Sequence, residues 1–173
     1  MGDPKKQRKK FSKPNHPWIK ERIIAEKEIV KQHGLRRKYE IWKMESILKN
    51  LLFQAKSIIG SRTKQSDVEK VNLLNRVYNL GLLPKGSRVE DILNLSLKDI
   101  LNRRLQTLVH RKNISSTVLQ ARQFIVHEHI SIGDKKITAP SYLVTINEEP
   151  LIKLAVDSKV VVQRKEEKKI KGG

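Results

Sequence analysis

The sequence predicts an α+β protein: a mainly helical N-terminal lobe, then a small module of two short helices packed on a small, mostly antiparallel sheet. A basic, disordered arm precedes both. Three observations carry this expectation. Apolar residues recur at steps of three and four through much of the first hundred residues, the period of helices buried on one face. Beyond His129 the period falls to two, and "YLVTI" and "KVVVQ" concentrate β-branched residues. The opening "MGDPKKQRKKFSKPNHP" mixes cations with prolines and cannot bury enough apolar surface to fold alone. The expected organisation is an extended arm over residues 1–17, a helical lobe over 18–101, the α+β module over 102–162 and a charged tail over 163–173.

In chain order, Ile19, Ile23 and Val30 define a first helix that stops around Gly34. Ile41, Met44, Leu48, Leu51, Ala55 and Ile58 form the clearest stripe, with Gly60 as its C-terminal cap. A third helix is expected to open on a capping box at Ser66-Asp67-Val68-Glu69 and to run through Val71, Leu74, Val77 and Tyr78 to Gly81. "LLPKGS" reads as a turn, and Ser87-Arg88-Val89-Glu90 as a second capping box that opens a short helix. One amphipathic helix is expected from Ser96 to Val109, with Leu97, Ile100, Leu101, Leu105 and Leu108 inward. "HRKN" ends it. Ser115, Ser116 and Thr117 then offer an N-cap for a helix through Val118, Leu119, Ala121, Ile125 and Val126. Ile130 and Ile132 alternate in a strand, Gly133-Asp134 turns, and Ile137 begins the return. A lobe of this size stands with little stability margin.

Charge narrows the function. The chain holds 37 Lys and Arg against 18 Asp and Glu, a formal charge of +19. A compact body with that imbalance repels itself, and a polyanion relieves the strain. Basic residues run from Lys5 to Lys171 with no apolar stretch near the ~20 residues a membrane span needs. No apolar segment follows the N-terminal charges, so no secretory signal is expected. Nucleic acid is therefore the preferred partner over a membrane surface. Cysteine is absent, which removes disulfides and cysteine-based zinc sites. Aromatics make up 5% of residues, so phosphate and shape recognition is expected to outweigh base stacking.

The candidate RNA-binding residues follow from helical spacing. Arg104, Thr107 and Arg111 fall on one side of the first module helix, and Arg122, Gln123 and His127 on one side of the second. Arg103, His110 and Lys112 adjoin the first group. Ser116 and Thr117 add donors at a helix start, where the dipole favours an anion. His129, Lys135 and Lys136 extend the edge toward the hairpin. Arginine suits such an edge because its planar fork grips phosphate oxygens in pairs. In the arm and lobe the candidates are Lys5, Lys6, Arg8, Lys9, Lys10, Lys13, Arg36, Arg37 and Lys38.

"RRLQTLVHRKNISSTVLQARQFIVHEHISIGDKKITAPSY" resembles the RNA-binding module named after ribosomal protein S-four. The resemblance rests on Arg104-Leu105, Ser115 to Thr117, Ala121-Arg122-Gln123, His127 and His129, and Pro140-Ser141-Tyr142. Gln106 stands where the family usually has Asp, and "IGDK" where many members have Val-Asn-Gly-Lys. "HGLRRKYEIWK" and "LLNRVYNLGLL" are similar to the S-four family of small-subunit ribosomal proteins in its archaeal and eukaryotic-like branch, over residues 1 to 150. That resemblance implies a structural, non-catalytic constituent of the small ribosomal subunit in the cytoplasm. It would bind a multi-helix junction in the 5' domain of the subunit RNA, nucleate assembly of the body, influence translational accuracy and touch neighbouring ribosomal proteins. The cysteines that hold zinc in some bacterial members are missing, and no metal, cofactor or small-molecule substrate is expected.

His127 and His129 alone make a poor metal site, because zinc wants three or four ligands. Tyr142 is expected against the core, and Asp91, Asp99 and the Glu148-Glu149 pair as caps or surface charges. No Gly-rich phosphate loop, H-E-x-x-H or G-x-S-x-G occurs. The alternative is a ribosome-biogenesis factor that carries the same module.

Overall fold

The computed structural model describes residue 9, residues 11–61 and residues 63–155. The predicted strand "KVVVQ", the charged tail and the candidates Lys5, Lys6, Arg8 and Lys10 lie outside these. The chain divides into two compact units. Among the described residues, one comprises those up to Tyr78 with Leu82–Leu101; the other comprises Asn79–Gly81 and those from Asn102 to Ala155.

The first unit is helical: α1 (Lys20–Gln32), α2 (Lys38–Gly60), α3 (Lys64–Asn79), α4 (Val89–Ile92) and most of α5 (Leu97–Asn102). Glu26 of α1 is 6% exposed and ties α1 to α2. Its Oε1 accepts from Trp42 Nε1 at 3.1 Å, and its Oε2 lies 3.1 Å from Lys38 Nζ. A carboxylate tolerates such burial only when donors surround it. α1 stops where predicted, with Gly34 at φ 56° and the Leu35 N–H donating back to Val30 O at 3.0 Å. The stripe of α2 is buried as its spacing requires. Leu51, Ala55 and Ile58 meet Leu73 and Val77 of α3 and Val89, Ile92 and Leu95 near α4 in one core.

Both predicted capping boxes are displaced. α3 starts at Lys64, with Thr63 Oγ1 accepting from the Ser66 N–H at 3.3 Å. Ser66 is buried one turn inside, its hydroxyl donating to Thr63 O at 2.6 Å. At α4 the Asp91 carboxylate accepts from the Arg88 N–H at 2.8 Å, while the Ser87 hydroxyl turns back to Pro84 O. Gly60 is the last helical residue of α2, with Ser61 as its cap.

In the second unit α6 (Leu105–Arg111) and α7 (Val118–Val126) cover a sheet of β1 (Ile130–Ile132), β2 (Lys135–Lys136) and β3 (Ile152–Leu154). The strand order is β2-β1-β3, antiparallel throughout. Leu105, Leu108 and Val109 of α6 and Ala121, Phe124 and Ile125 of α7 close over Ile130, Ile132, Val144 and Ile152. The predicted helix from Ser96 to Val109 is in fact two. Leu105 N–H donates to Tyr142 O at 2.8 Å and Val144 N–H to Arg103 O at 3.0 Å, so Arg104 is extended and bridges to Leu143. Leucines four apart on either side of the break mimic an unbroken stripe. Among the described residues this isolated bridge is the only strand-like pairing of "YLVTI"; the third strand is Ile152–Leu154, which the sequence reading overlooked. The hairpin loop is Gly133-Asp134 as expected, with positive φ at Gly133 alone, the pattern of a type II′ turn. None of the described helices is long and apolar enough to cross a membrane.

Candidate nucleic-acid interface

α6 and α7 are held in place by a buried amide. Gln106, 0% exposed, donates from Nε2 to Val118 O at 3.0 Å, and its Oε1 lies 3.5 Å from Arg122 Nη1. Thr117 caps α7, its Oγ1 accepting from Gln120 N–H at 3.1 Å, and the Ser116 N–H and hydroxyl both reach Gln120 Oε1. His110 Nδ1 sits 3.2 Å from Ser115 O, closing the loop from inside.

The predicted basic edge splits in two. Arg111, Ser116, Thr117, Gln123 and His127 are exposed. Arg122 and His129 are half-buried, the His129 ring lying edge-on to Phe124 at 6.1 Å. Four candidates are instead committed inside the unit. Arg104 is 1% exposed and Thr107 7%, because the break in the helix turns both inward; neither stands on the surface that the i, i+3, i+7 spacing suggested. Arg103 pairs with Glu149 at 2.7 Å and donates to Val144 O at 3.1 Å. Lys112 Nζ donates to the Glu149 carbonyl.

Lys135 and Lys136 are exposed but do not extend one edge together. Lys135 stands opposite Ile132, whereas Lys136 stands opposite Ser131, and successive strand residues face opposite sides. Ser131 also pairs with Lys153, so Lys136 and Lys153 flank it on the side of the sheet away from the helices. Lys153 is a basic surface position that the sequence reading missed. The alternation Ile152-Lys153-Leu154 was the available signal.

Tyr142 packs against the core as expected, and its hydroxyl donates to Glu148 Oε1 at 2.6 Å. Thr145 N–H and Oγ1 both reach Glu148 Oε2 at 2.9 Å. Burial would raise the Glu148 pKa, but the donors from Tyr142 and Thr145 together hold it below the usual glutamate value. The same hydrogen bond, with burial and the carboxylate's charge, raises the Tyr142 phenol.

In the first unit Arg36 and Arg37 are exposed, and Lys38 is drawn toward Glu26. Lys9 and Lys13 are exposed. At Phe11 and Ser12 the end of the arm lies on α2. That ring stacks on Tyr39 at 6.2 Å and tilts toward Trp42 at 6.1 Å, while the Ser12 N–H donates to Ser46 Oγ at 3.3 Å.

Two helices over a three-stranded sheet, with a basic margin of this kind, make the second unit an S4 domain: the family model of that description matches residues 103–150. The resemblance extends far beyond the domain. Over 167 residues the chain is 44% identical to small ribosomal subunit protein uS4 of Hyperthermus butylicus, covering 96% of this chain and 95% of that one. It is 46% identical over 159 residues to the uS4 protein of Saccharolobus solfataricus, covering 91% and 88% respectively. The chain belongs to the uS4 family of small ribosomal subunit proteins.

Proposed function

We propose that this chain is a structural, non-catalytic constituent of the cytoplasmic small ribosomal subunit, binding the subunit RNA and neighbouring ribosomal proteins. Its finer role is that of a primary binder at a multi-helix junction in the 5' domain, nucleating the body and influencing translational accuracy. Near full-length similarity to proteins of that name carries the reading. The physical support is the +19 charge and its distribution. Arg111, Gln123, His127 and Lys135 offer a margin of donors on the second unit, and Arg36, Arg37, Lys9 and Lys13 a separate supply on the first. Each phosphate neutralised releases condensed counterion, so several weak contacts add to a salt-sensitive affinity. Small subunits purified through a high-salt wash test the assignment: one copy per particle is expected, and loss of the chain from mature particles would point to a transient assembly factor.

A further inference from the structure

α1 carries a cationic ridge separate from the S4 domain. Lys20, Lys27 and Lys31 are all exposed, and at 3.6 residues per turn they fall within about 40° of one another along about 16 Å of helix. Ile24, 47% exposed, shares their face, while Glu21 and Glu28 stand about a quarter-turn away. At the head of the ridge is Trp18, 88% exposed. Tryptophan is highly buried on average, so a ring left this open is the informative kind of exception.

The turn that bears Trp18 is tied down. Arg22 Nη2 donates to Pro17 O at 2.9 Å, and Arg22 Nε lies 3.5 Å from the buried Glu26 carboxylate. Trp42 gives its own N–H to that carboxylate. The indole of Trp18 is therefore presented on an anchored backbone, which lowers the entropy lost when a flat partner covers it.

Either a nucleic-acid base or an apolar pocket of a protein would cover such a ring. The lysines decide between them. Cations beside an open aromatic complement the phosphates on either side of an unstacked base, whereas an apolar pocket would have to strip their water. We propose that α1 is a further RNA contact, in which Trp18 stacks on one unpaired base and Lys20, Lys27 and Lys31 follow the adjoining phosphates. The inference rests on the RNA-binding role above and adds to it a single-stranded nucleotide.

The test uses the full chain and an in vitro transcript of its small-subunit ribosomal RNA. Trp18→Ala and Trp18→Leu should each weaken binding by about 5- to 150-fold, the span of base–aromatic stacking, while Trp18→Phe stays within a few-fold of the parent. Replacing all three lysines by Ala should flatten the log–log salt slope by about 2 to 3. Leu matching the parent while Ala fails would mean an apolar pocket and overturn the stacking assignment. Parental affinity in all three Trp18 variants would overturn it too. A parent chain that itself ignores the transcript would sink the underlying role, and this contact with it. Unaltered circular dichroism checks that each variant is folded.

Discussion

Arg103 holds Glu149 at 2.7 Å across 46 residues of chain, with its other amino group on the Val144 carbonyl. An arginine counted among the RNA-binding candidates in the sequence is thereby a clamp between the start of α6 and the turn before β3. Arg103→Ala should destabilise the second unit by about 1–3 kcal/mol, because partly buried charged partners lose their hydrogen bonds. Its effect on the salt slope of RNA binding should be nil, whereas loss of a true phosphate contact lowers that slope by about 0.7–0.9. Denaturation and salt-dependent binding of the same variant separate the two roles.

Gly81 stands under that clamp. Its φ is +68°, and a Cβ there would lie 2.8 Å from Arg103 Cζ. Gly81 also closes α3, with the Leu82 N–H reaching back to Val77 O. Gly81→Ala therefore meets both a disfavoured backbone and a displaced guanidinium. A loss of about 1–3 kcal/mol is expected in thermal or chemical denaturation; an unchanged midpoint would contradict the packing described.

Glu148 predicts an acid limb in the stability of the second unit. A carboxyl whose pKa is lower folded than unfolded binds more protons when unfolded, so acid favours unfolding. Its contribution is complete above the usual glutamate value of 4.5 and vanishes as the pH falls through the lower folded value. Tyr142 acts at the other extreme: its raised phenol contributes below pH 10.0 and loses that contribution as the pH climbs through the folded value. Hydrogen exchange of the β1 amides against pH reports both limbs. Glu148→Gln should remove the acid limb and leave the central plateau lower.

Glu128 ends α7 at φ 63°, with the His129 N–H donating to Phe124 O at 2.9 Å, a helix stop that normally takes glycine. Glu128→Gly should stabilise the unit by about 1 kcal/mol, since a side chain in this region costs about 1–2 kcal/mol. A lower melting temperature in that variant would contradict the assignment of strain.

Helical periodicity located α2 because it buries a stripe along its length, and the change of period located β1; α1, α3 and α7 were located on stripes that are buried only in part, with Ile19, Val71, Leu119 and Val126 left exposed. What it missed was decided by long-range pairing. Nothing local to Leu101-Asn102-Arg103-Arg104-Leu105 reveals that Tyr142 and Val144 take the backbone groups at the break. The same bridge turns Arg104 and Thr107 inward, so spacing alone placed them on the wrong surface. The exposure of Arg111, Gln123 and His127 was legible because the first two lie on α6 and α7, each with a well-defined buried face, and the third caps α7. Lys136 was misplaced relative to Lys135 for want of a strand register, and Phe11 was unreadable because its partners lie about 30 residues away on α2.

The central claim is that the surplus of positive charge is arranged to fit one folded RNA, beyond making the chain generally sticky toward polyanions. Competition binding at physiological ionic strength tests it most directly, with the small-subunit RNA junction set against a random duplex of equal length. A preference of about 1,000-fold or more for the junction is expected, the lower end of site-specific nucleic-acid recognition. Equal affinity for the two would contradict the account.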